Sequence, residues 1–264
     1  MQFRTTGLAL AMAACAALAL STTTFAAASK GEGPQVAYVP VNSGPTPPAG
    51  LKVACMPSPT VLTSSKTCPV LNYLGNTTWA YSYMDNRVSM AFVTYDANKN
   101  VVINQNKDGA RYVWNIISSY DTKLIQVFGQ SNQYVTLNWS DLVPPPSIQT
   151  VATNTIPSVP AGLKVACMAN GSSLQPVGTC PVVKVGGLTT WALSYYDNRV
   201  SLAFVTFNSK GHIVRNTEMK GSRYVWQMTV NTANKTVTAS GQSNATVSAP
   251  WTQFGPDLTV TAKK

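Results

Sequence analysis

The sequence carries one set of polar and aromatic residues twice, at a constant spacing along the chain. "SYMDNRVSMAFVTY" begins at Ser82, and "SYYDNRVSLAFVTF" begins at Ser194. Guanidinium groups, amides and flat aromatic rings are the groups with which proteins stack on sugar rings and hydrogen-bond to hydroxyl groups. The pattern therefore predicts ligand binding, with the alternative that these residues only build the turns of a hairpin.

The candidate ligand-binding residues are those that both copies share outside the apolar runs. They are Arg87, Arg111, Gln130, Asn132 and Trp139 in the first copy, and Arg199, Arg223, Gln242, Asn244 and Trp251 in the second. A structural interpretation competes for each of them. Tryptophans near other large side chains are typical of a core, the arginines could pair with Asp85 or Asp197, and "GQSN" is typical of a glycine-led turn.

Combinations of residues that could perform catalysis are sparse. The only histidine, His212, corresponds to Asn100 in the first copy, so no Ser-His-Asp or Cys-His set occurs in both. Asp85 and Asp197 are the only carboxylates kept in both copies, which leaves no shared pair for glycoside hydrolysis. We therefore predict a protein that is not an enzyme and that uses no cofactor and no metal.

Four cysteines follow the duplication, and a fifth lies near the N-terminus. Cys55 and Cys68 are separated by the same stretch of chain as Cys167 and Cys180. This separation is wider than in zinc sites, whose ligands are usually two to four residues apart and often include histidine, whereas an even number of cysteines in an exported chain favours disulfides. The spacing predicts one disulfide within each copy.

The N-terminal segment 1–28 predicts export. One basic residue, Arg4, precedes an apolar run and a stretch of small residues, as in a signal peptide. The run is shorter than the roughly 20 residues that cross a bilayer, and no later segment comes close. "MAAC" resembles the acylation site of lipoproteins, but an anchor at Cys15 would leave "AALAL" on the mature protein. We expect a periplasmic or extracellular protein without a lipid anchor.

Charge indicates the class of partner. Without residues 1–28 the chain keeps 18 basic and 9 acidic residues, a net charge of +9. Such a charge attracts polysaccharide, lipid headgroups and nucleic acid that carry negative charge. We expect polysaccharide or anionic cell-surface material as the partner and only non-specific attraction to nucleic acid. The sequence leaves the oligomeric state open.

The duplication predicts the domain organisation. Positions 48–142 align with 160–254 without a gap, and close to half of the 95 pairs are identical. A unit of this length is a typical small domain. We predict two cores, with one shared core as the alternative. The predicted segments are a signal peptide 1–28, a Pro/Gly-rich leader 29–47, a first β-domain 48–142, a Pro-rich linker 143–159 that acts as a spacer, a second β-domain 160–256 and a basic tail 257–264.

Short runs of β-branched and aromatic residues between Asn, Asp, Gly and Lys predict strands throughout each copy. In the first copy these lie near 51–56, 69–74, 77–84, 87–95, 100–105, 111–118, 123–128 and 134–139. Eight short strands indicate an all-β fold, with two tandem antiparallel β-sandwich or small barrel domains that arose by internal duplication.

Two turns can be predicted in detail. A two-residue turn at Asp85-Asn86 would gather the large side chains of the flanking strands on one face: Trp79, Tyr81, Met90 and Phe92. In "FNSKGHIV", Gly211 takes the left-handed position of the next turn, and the same position in the first copy is Lys99.

Three classes of function remain. The leading hypothesis is an exported tandem-domain binding protein that recognises carbohydrate or anionic surfaces. The second is a structural or self-assembling surface protein, which a charged fraction of only 11% and exposed strand edges would favour. The third is an exported enzyme or enzyme inhibitor, for which no residue set stands out.

Overall fold

The structure is a computed structural model that describes residues 33–256, and the fold is all-β. The predicted signal peptide, Cys15 and the basic tail 257–264 lie outside the described residues. Within 33–256, no helix is long and apolar enough to span a bilayer.

The first half contains nine antiparallel strands in two sheets. The larger sheet has the order β1-β3-β4-β5-β6, with the short β2 also on β4, and the smaller has the order β7-β8-β9. Their bounds are β1 Gln35–Pro40, β2 Leu51–Lys52, β3 Thr67–Tyr73, β4 Asn76–Tyr83, β5 Ser89–Tyr95, β6 Val101–Asp108, β7 Asn115–Ser119, β8 Leu124–Phe128 and β9 Tyr134–Asn138. Each of the eight predicted strands is present.

The second half repeats this topology strand for strand, which confirms the predicted tandem pair of all-β units. Short 3-10 turns follow β9 and β18. The bounds are β10 Ser147–Ala152, β11 Leu163–Lys164, β12 Thr179–Val185, β13 Leu188–Tyr195, β14 Ser201–Phe207, β15 Ile213–Lys220, β16 Gln227–Asn231, β17 Thr236–Ser240 and β18 Thr246–Pro250.

The segments predicted as leader and linker each contain a strand of a domain. β1 pairs with β3 along its whole length, and β10 pairs with β12 in the same way. The interpretation of 143–159 as a spacer is therefore wrong for residues 147–152. These strands lie at sheet edges and their side chains are exposed or half-exposed, so few of them are fixed by packing. The two copies diverged there, and only Val39 and Val151 still match along the strands.

Each half has its own hydrophobic core. The first surrounds Trp79 and Tyr81, and the second surrounds Trp191 and Leu193. Both sheets of a half contribute, since Ile125 of the smaller first sheet belongs to the same cluster as Trp79. The structure thus has two cores, as predicted.

The halves meet at their β-turns and at Val143. The backbone N–H of Gly187 donates to the carbonyl oxygen of Leu74 at 2.6 Å, which joins the β12–β13 turn to the β3–β4 turn. The side chain of Val143 packs against both cores. These contacts leave clefts between the halves.

The predicted register of the β4–β5 hairpin is wrong by one residue. Tyr81 lies opposite Ala91 and Ala80 lies opposite Phe92, and a loop at 84–88 replaces the two-residue turn. The prediction assumed one buried face with all the large residues. Both faces of these central strands are buried, so each large side chain is placed across from a small one and both faces fill evenly.

Both predicted disulfides form. The Cα atoms of Cys55 and Cys68 are 5.4 Å apart, as are those of Cys167 and Cys180. All four cysteines are buried.

The predicted β5–β6 turn is also confirmed. Lys99 has φ +66° and Gly211 has φ +77° in the equivalent turn. The carboxylate of Asp96 accepts hydrogen bonds from the backbone N–H groups of Asn98 and Asn100, at 2.9 and 2.8 Å. Hydrogen bonding from Asn100 holds the pKa of Asp96 below its usual value.

Replacing Lys99 with glycine is expected to stabilise the first half by about 0.5–1 kcal/mol, because glycine adopts positive φ without a Cβ clash. Urea unfolding measures the change. Lys99→Ala is the control: it removes the long side chain but keeps the Cβ, so it should bring no such gain. An equal gain from alanine would show that the side chain, and not the backbone conformation, sets the effect.

Candidate functional site

The β4–β5 loop is held by hydrogen bonds that converge on Asn86. Its backbone has φ +60°. Nη1 of Arg111 donates to the Asn86 carbonyl oxygen at 2.6 Å, and the Tyr112 hydroxyl donates to Asn86 Oδ1 at 2.7 Å. Nζ of Lys52 donates to the same Oδ1 at 3.2 Å. Two cations and a tyrosine therefore meet at the tip of one hairpin.

Arg111 also reaches the Gln-Ser-Asn turn. Its Nε donates to Gln130 Oε1 at 2.9 Å, while the Gln130 N–H donates to the Arg111 carbonyl oxygen at 2.8 Å. Tyr112 has φ +56°, and its N–H donates to the Ser82 hydroxyl at 3.0 Å. The structure thus brings Arg111 and Gln130 together, and part of each side chain's bonding capacity is used within the protein.

Arg87 lies beside this group on the surface. Its guanidinium carbon is 3.6 Å from the centre of the Tyr83 ring, and its Nε is 3.1 Å from Asp85 Oδ2. The side chain remains 52% exposed. The stacked ring and the carboxylate fix the direction of a flat cation that solvent still reaches.

The second half builds the same arrangement. Arg223 Nη1 donates to the Asn198 carbonyl oxygen at 2.8 Å, Tyr224 Oη donates to Asn198 Oδ1 at 2.7 Å, and Arg223 Nε donates to Gln242 Oε1 at 2.7 Å. We call each arrangement an end cluster. The first consists of Lys52, Tyr83, Asn86, Arg87, Arg111, Tyr112 and Gln130, and the second of Lys164, Tyr195, Asn198, Arg199, Arg223, Tyr224 and Gln242. Residue types are identical at all equivalent positions.

The charge around the second cluster differs in one respect. Arg199 Nη2 lies 2.7 Å from Asp197 Oδ2, and its Nη1 lies 3.5 Å from Glu218 Oε2, where the first half has Asn106. Hydrogen bonding between Arg199 and Asp197 lowers the pKa of Asp197 and raises that of Arg199. Burial raises the pKa of Tyr195. Arg199 is therefore held by two carboxylates.

Asn132 lies on the exposed side of the Gln-Ser-Asn turn. Ser131 and Asn132 both have positive φ, 57° and 58°. The N–H of Ser131 donates to the Pro59 carbonyl oxygen at 2.8 Å, which ties the turn to the disulfide loop. Gly129 is required here, because a Cβ would lie 2.3 Å from the Arg111 carbonyl oxygen. In the second half Asn244 packs against Gly171.

The structure separates Trp139 from the arginines. Trp139 is buried near the start of β4, with Tyr73 and Tyr120 around it, whereas Tyr83 ends β4 at the end cluster. Seven steps along a strand span about 23 Å. Trp251 is half-buried, and its Nε1 donates to the Thr236 carbonyl oxygen at 3.3 Å. Both tryptophans border clefts between the halves.

Tyr112 and Tyr224 were missed as members of the site. Tyr112 was not among the candidate residues; its left-handed backbone directs the hydroxyl to Asn86. The available signal was the pair Arg111-Tyr112, which is identical in the second copy.

No protein-family model and no curated protein matches the chain. Among residues 33–256, no three His, Cys, Asp or Glu side chains come together as a metal site would need. The geometry of the end clusters is therefore the main basis for a functional proposal.

Proposed function

We propose that the chain is an exported, non-enzymatic binding protein that holds an anionic polysaccharide through both end clusters. The observation that supports this is selective preservation. The seven residues of the cluster are identical in both halves, whereas several positions at the opposite ends of the halves have diverged, with Tyr73, Leu74 and Tyr120 replaced by Val185, Gly186 and Thr232. A framework role alone would not require the exposed Arg87 to be kept.

The surface of the cluster combines the groups that bind acidic sugars. Arg87 offers a flat cation, and Lys52 and Arg111 add two further positive charges. Beside them Met84 and Val88 are 60% and 48% exposed, and Tyr196 and Val200 hold these positions in the second half. Sugar rings have apolar C–H faces and polar edges, so a surface of this kind contacts both.

Net charge supports an anionic polymer over a neutral one. Residues 33–256 contain 15 basic and 7 acidic residues, and residues 160–254 contain 8 basic and only 2 acidic residues. Attraction of this kind weakens as salt screens it over a Debye length of about 10 Å at 0.1 M. Binding is therefore expected to depend on ionic strength, with the second half contributing more of the long-range attraction.

The test uses the full chain with Arg87→Gln and Arg199→Gln together. Binding to long alginate, a polymer of uronic acids, is expected to weaken at least a hundredfold, because both clusters lose their exposed stacking cation. Lys99→Gln with Lys235→Gln is the matched control: it removes the same charge from exposed positions at the opposite ends and should leave most of the affinity.

Dextran and duplex DNA are the comparison polymers. Alginate is expected to bind more tightly than either, and a part of its binding should persist at 0.5 M salt. Equal affinity for DNA and alginate, or an equal loss from the control pair, would contradict recognition by the end clusters and leave only general charge attraction.

A further inference from the structure

A cleft of about 600 Å³ lies between the two halves, at the ends of the domains opposite the end clusters. The first half contributes the surroundings of Trp139, and the second contributes the β14–β15 turn. The side chains that matter here are Tyr120, Lys123, Trp139, Lys210, His212 and Arg215.

The cleft combines positive charge with an aromatic wall. Nζ of Lys123 lies 3.5 Å from the centre of the Tyr120 ring and 4.6 Å from that of Trp139. The two rings are 5.7 Å apart and nearly perpendicular. Lys210 and Arg215 add charge from the other half, and no carboxylate is among the described lining residues. Basic side chains from both halves at one cleft favour an anionic occupant.

The basic side chains of the second half are not required by the turn that carries them. The equivalents of Lys210, His212 and Arg215 in the first half are Asn98, Asn100 and Ile103. Both turns nevertheless have the same backbone form, with positive φ at Lys99 and at Gly211. The positive charge was therefore gained or kept independently of the fold.

The first half shows the complementary change. Tyr120, which lines the cleft, corresponds to Thr232 in the second half. The aromatic ring thus comes from one half and the added cations come from the other, and both face the same space. Divergence of two copies toward complementary groups at one junction indicates a shared occupant.

We propose that this cleft binds an acidic oligosaccharide of two or three sugars, at a site separate from the end clusters. A volume of about 600 Å³ is in the usual range of small-ligand sites. The half-buried Tyr120 provides ring surface for the C–H face of a sugar, and the ammonium of Lys123 lies 3.5 Å from the centre of that ring, where it can pair with a carboxylate. Asn72 and Asn208 border the cleft and offer amides for hydroxyl groups.

Arg215 is positioned for this role by the protein. Its Nη1 donates to the Thr252 carbonyl oxygen at 2.6 Å, which holds the guanidinium at the border of the cleft. Replacing it would also release that carbonyl, so the test leaves Arg215 in place.

The test is calorimetric titration of the full chain with digalacturonate. Lys210→Asn with His212→Asn introduces the residues that the first half has in the same turn, so folding should be preserved. We expect at least tenfold weaker binding by this variant and by Tyr120→Thr, which introduces the residue of the second half. The titrations are repeated in a background of Arg87→Gln with Arg199→Gln, which removes the contribution of the end clusters and leaves the cleft intact. Lys99→Gln, which removes one positive charge from an exposed turn outside the cleft, should leave digalacturonate binding unchanged.

Lactose, a neutral disaccharide, is expected to bind at least tenfold more weakly than digalacturonate. Three outcomes would overturn the proposal. These are no binding of digalacturonate by the wild type, equal affinity in the wild type and both variants, and tighter binding of a nucleoside monophosphate than of digalacturonate. Unchanged melting temperatures of the variants would show that any loss of binding does not arise from unfolding.

Discussion

Replacing Cys55 and Cys68 together with alanine is expected to lower the free energy of unfolding of the first half by about 3 kcal/mol. The bond closes the loop from Cys55 to Cys68, whose ends are otherwise free to separate in the unfolded chain. For a domain of this size the loss is a large part of the total, because whole domains are stable by only about 5–15 kcal/mol.

The second half serves as an internal reference for this change. The second half has its own disulfide and its own core, so the urea concentration at the midpoint of its unfolding transition should not change. Urea unfolding followed by tryptophan fluorescence checks this. Cys167→Ala with Cys180→Ala should lower the midpoint of the second half's transition and leave that of the first half unchanged. Equal shifts of both transitions in each variant would contradict two independent cores.

The disulfide loops also support the end clusters. Within the loop from Cys55 to Cys68, the Cys55 carbonyl oxygen accepts a hydrogen bond from the Ser65 N–H at 2.7 Å. The carbonyl oxygen of Pro59, in the same loop, accepts a hydrogen bond from the Ser131 N–H of the Gln-Ser-Asn turn. In the second half Gly171 accepts from Ser243 N–H at 2.7 Å. Loss of a disulfide is therefore expected to loosen the Gln-Ser-Asn turn that Arg111 or Arg223 contacts.

Features that depend on local chemistry were predictable from the sequence. The left-handed position of Lys99 followed from the glycine at its counterpart, because a turn of this type requires positive φ. The disulfides followed from equal spacing in both copies. Strand positions followed from runs such as "MAFVTY", which are rich in β-branched and aromatic residues.

Features that depend on packing between distant segments were not predictable. The β4–β5 register was wrong because burial of both faces removes the alternation that would fix it. β1 and β10 were missed because half-exposed edge strands leave little sequence signal. Tyr120 and Lys210 line one cleft, but they belong to different halves of the chain, so no local sequence motif could predict that they lie together.

Loss of either end cluster alone is expected to weaken binding to long alginate at least a hundredfold. Two linked sites raise the affinity for a polymer by roughly 10²–10⁴ over one site, provided that both can engage at once. Lys52→Gln with Arg87→Gln disables the first cluster, and Lys164→Gln with Arg199→Gln disables the second. An alginate tetrasaccharide is taken to occupy one cluster at a time. In a Tyr120→Thr background, which weakens binding in the cleft, each variant should bind it about twofold more weakly than the same background with both clusters intact, because one of the two clusters remains.

The most direct test of the account is therefore the ratio of affinities for long alginate and for the tetrasaccharide, measured for the wild type and for both single-cluster variants. If both clusters bind one polymer together, this ratio is large in the wild type and falls at least about fiftyfold in each variant. The same ratio in the wild type and the variants would contradict the claim that two identical clusters act together on one polymer.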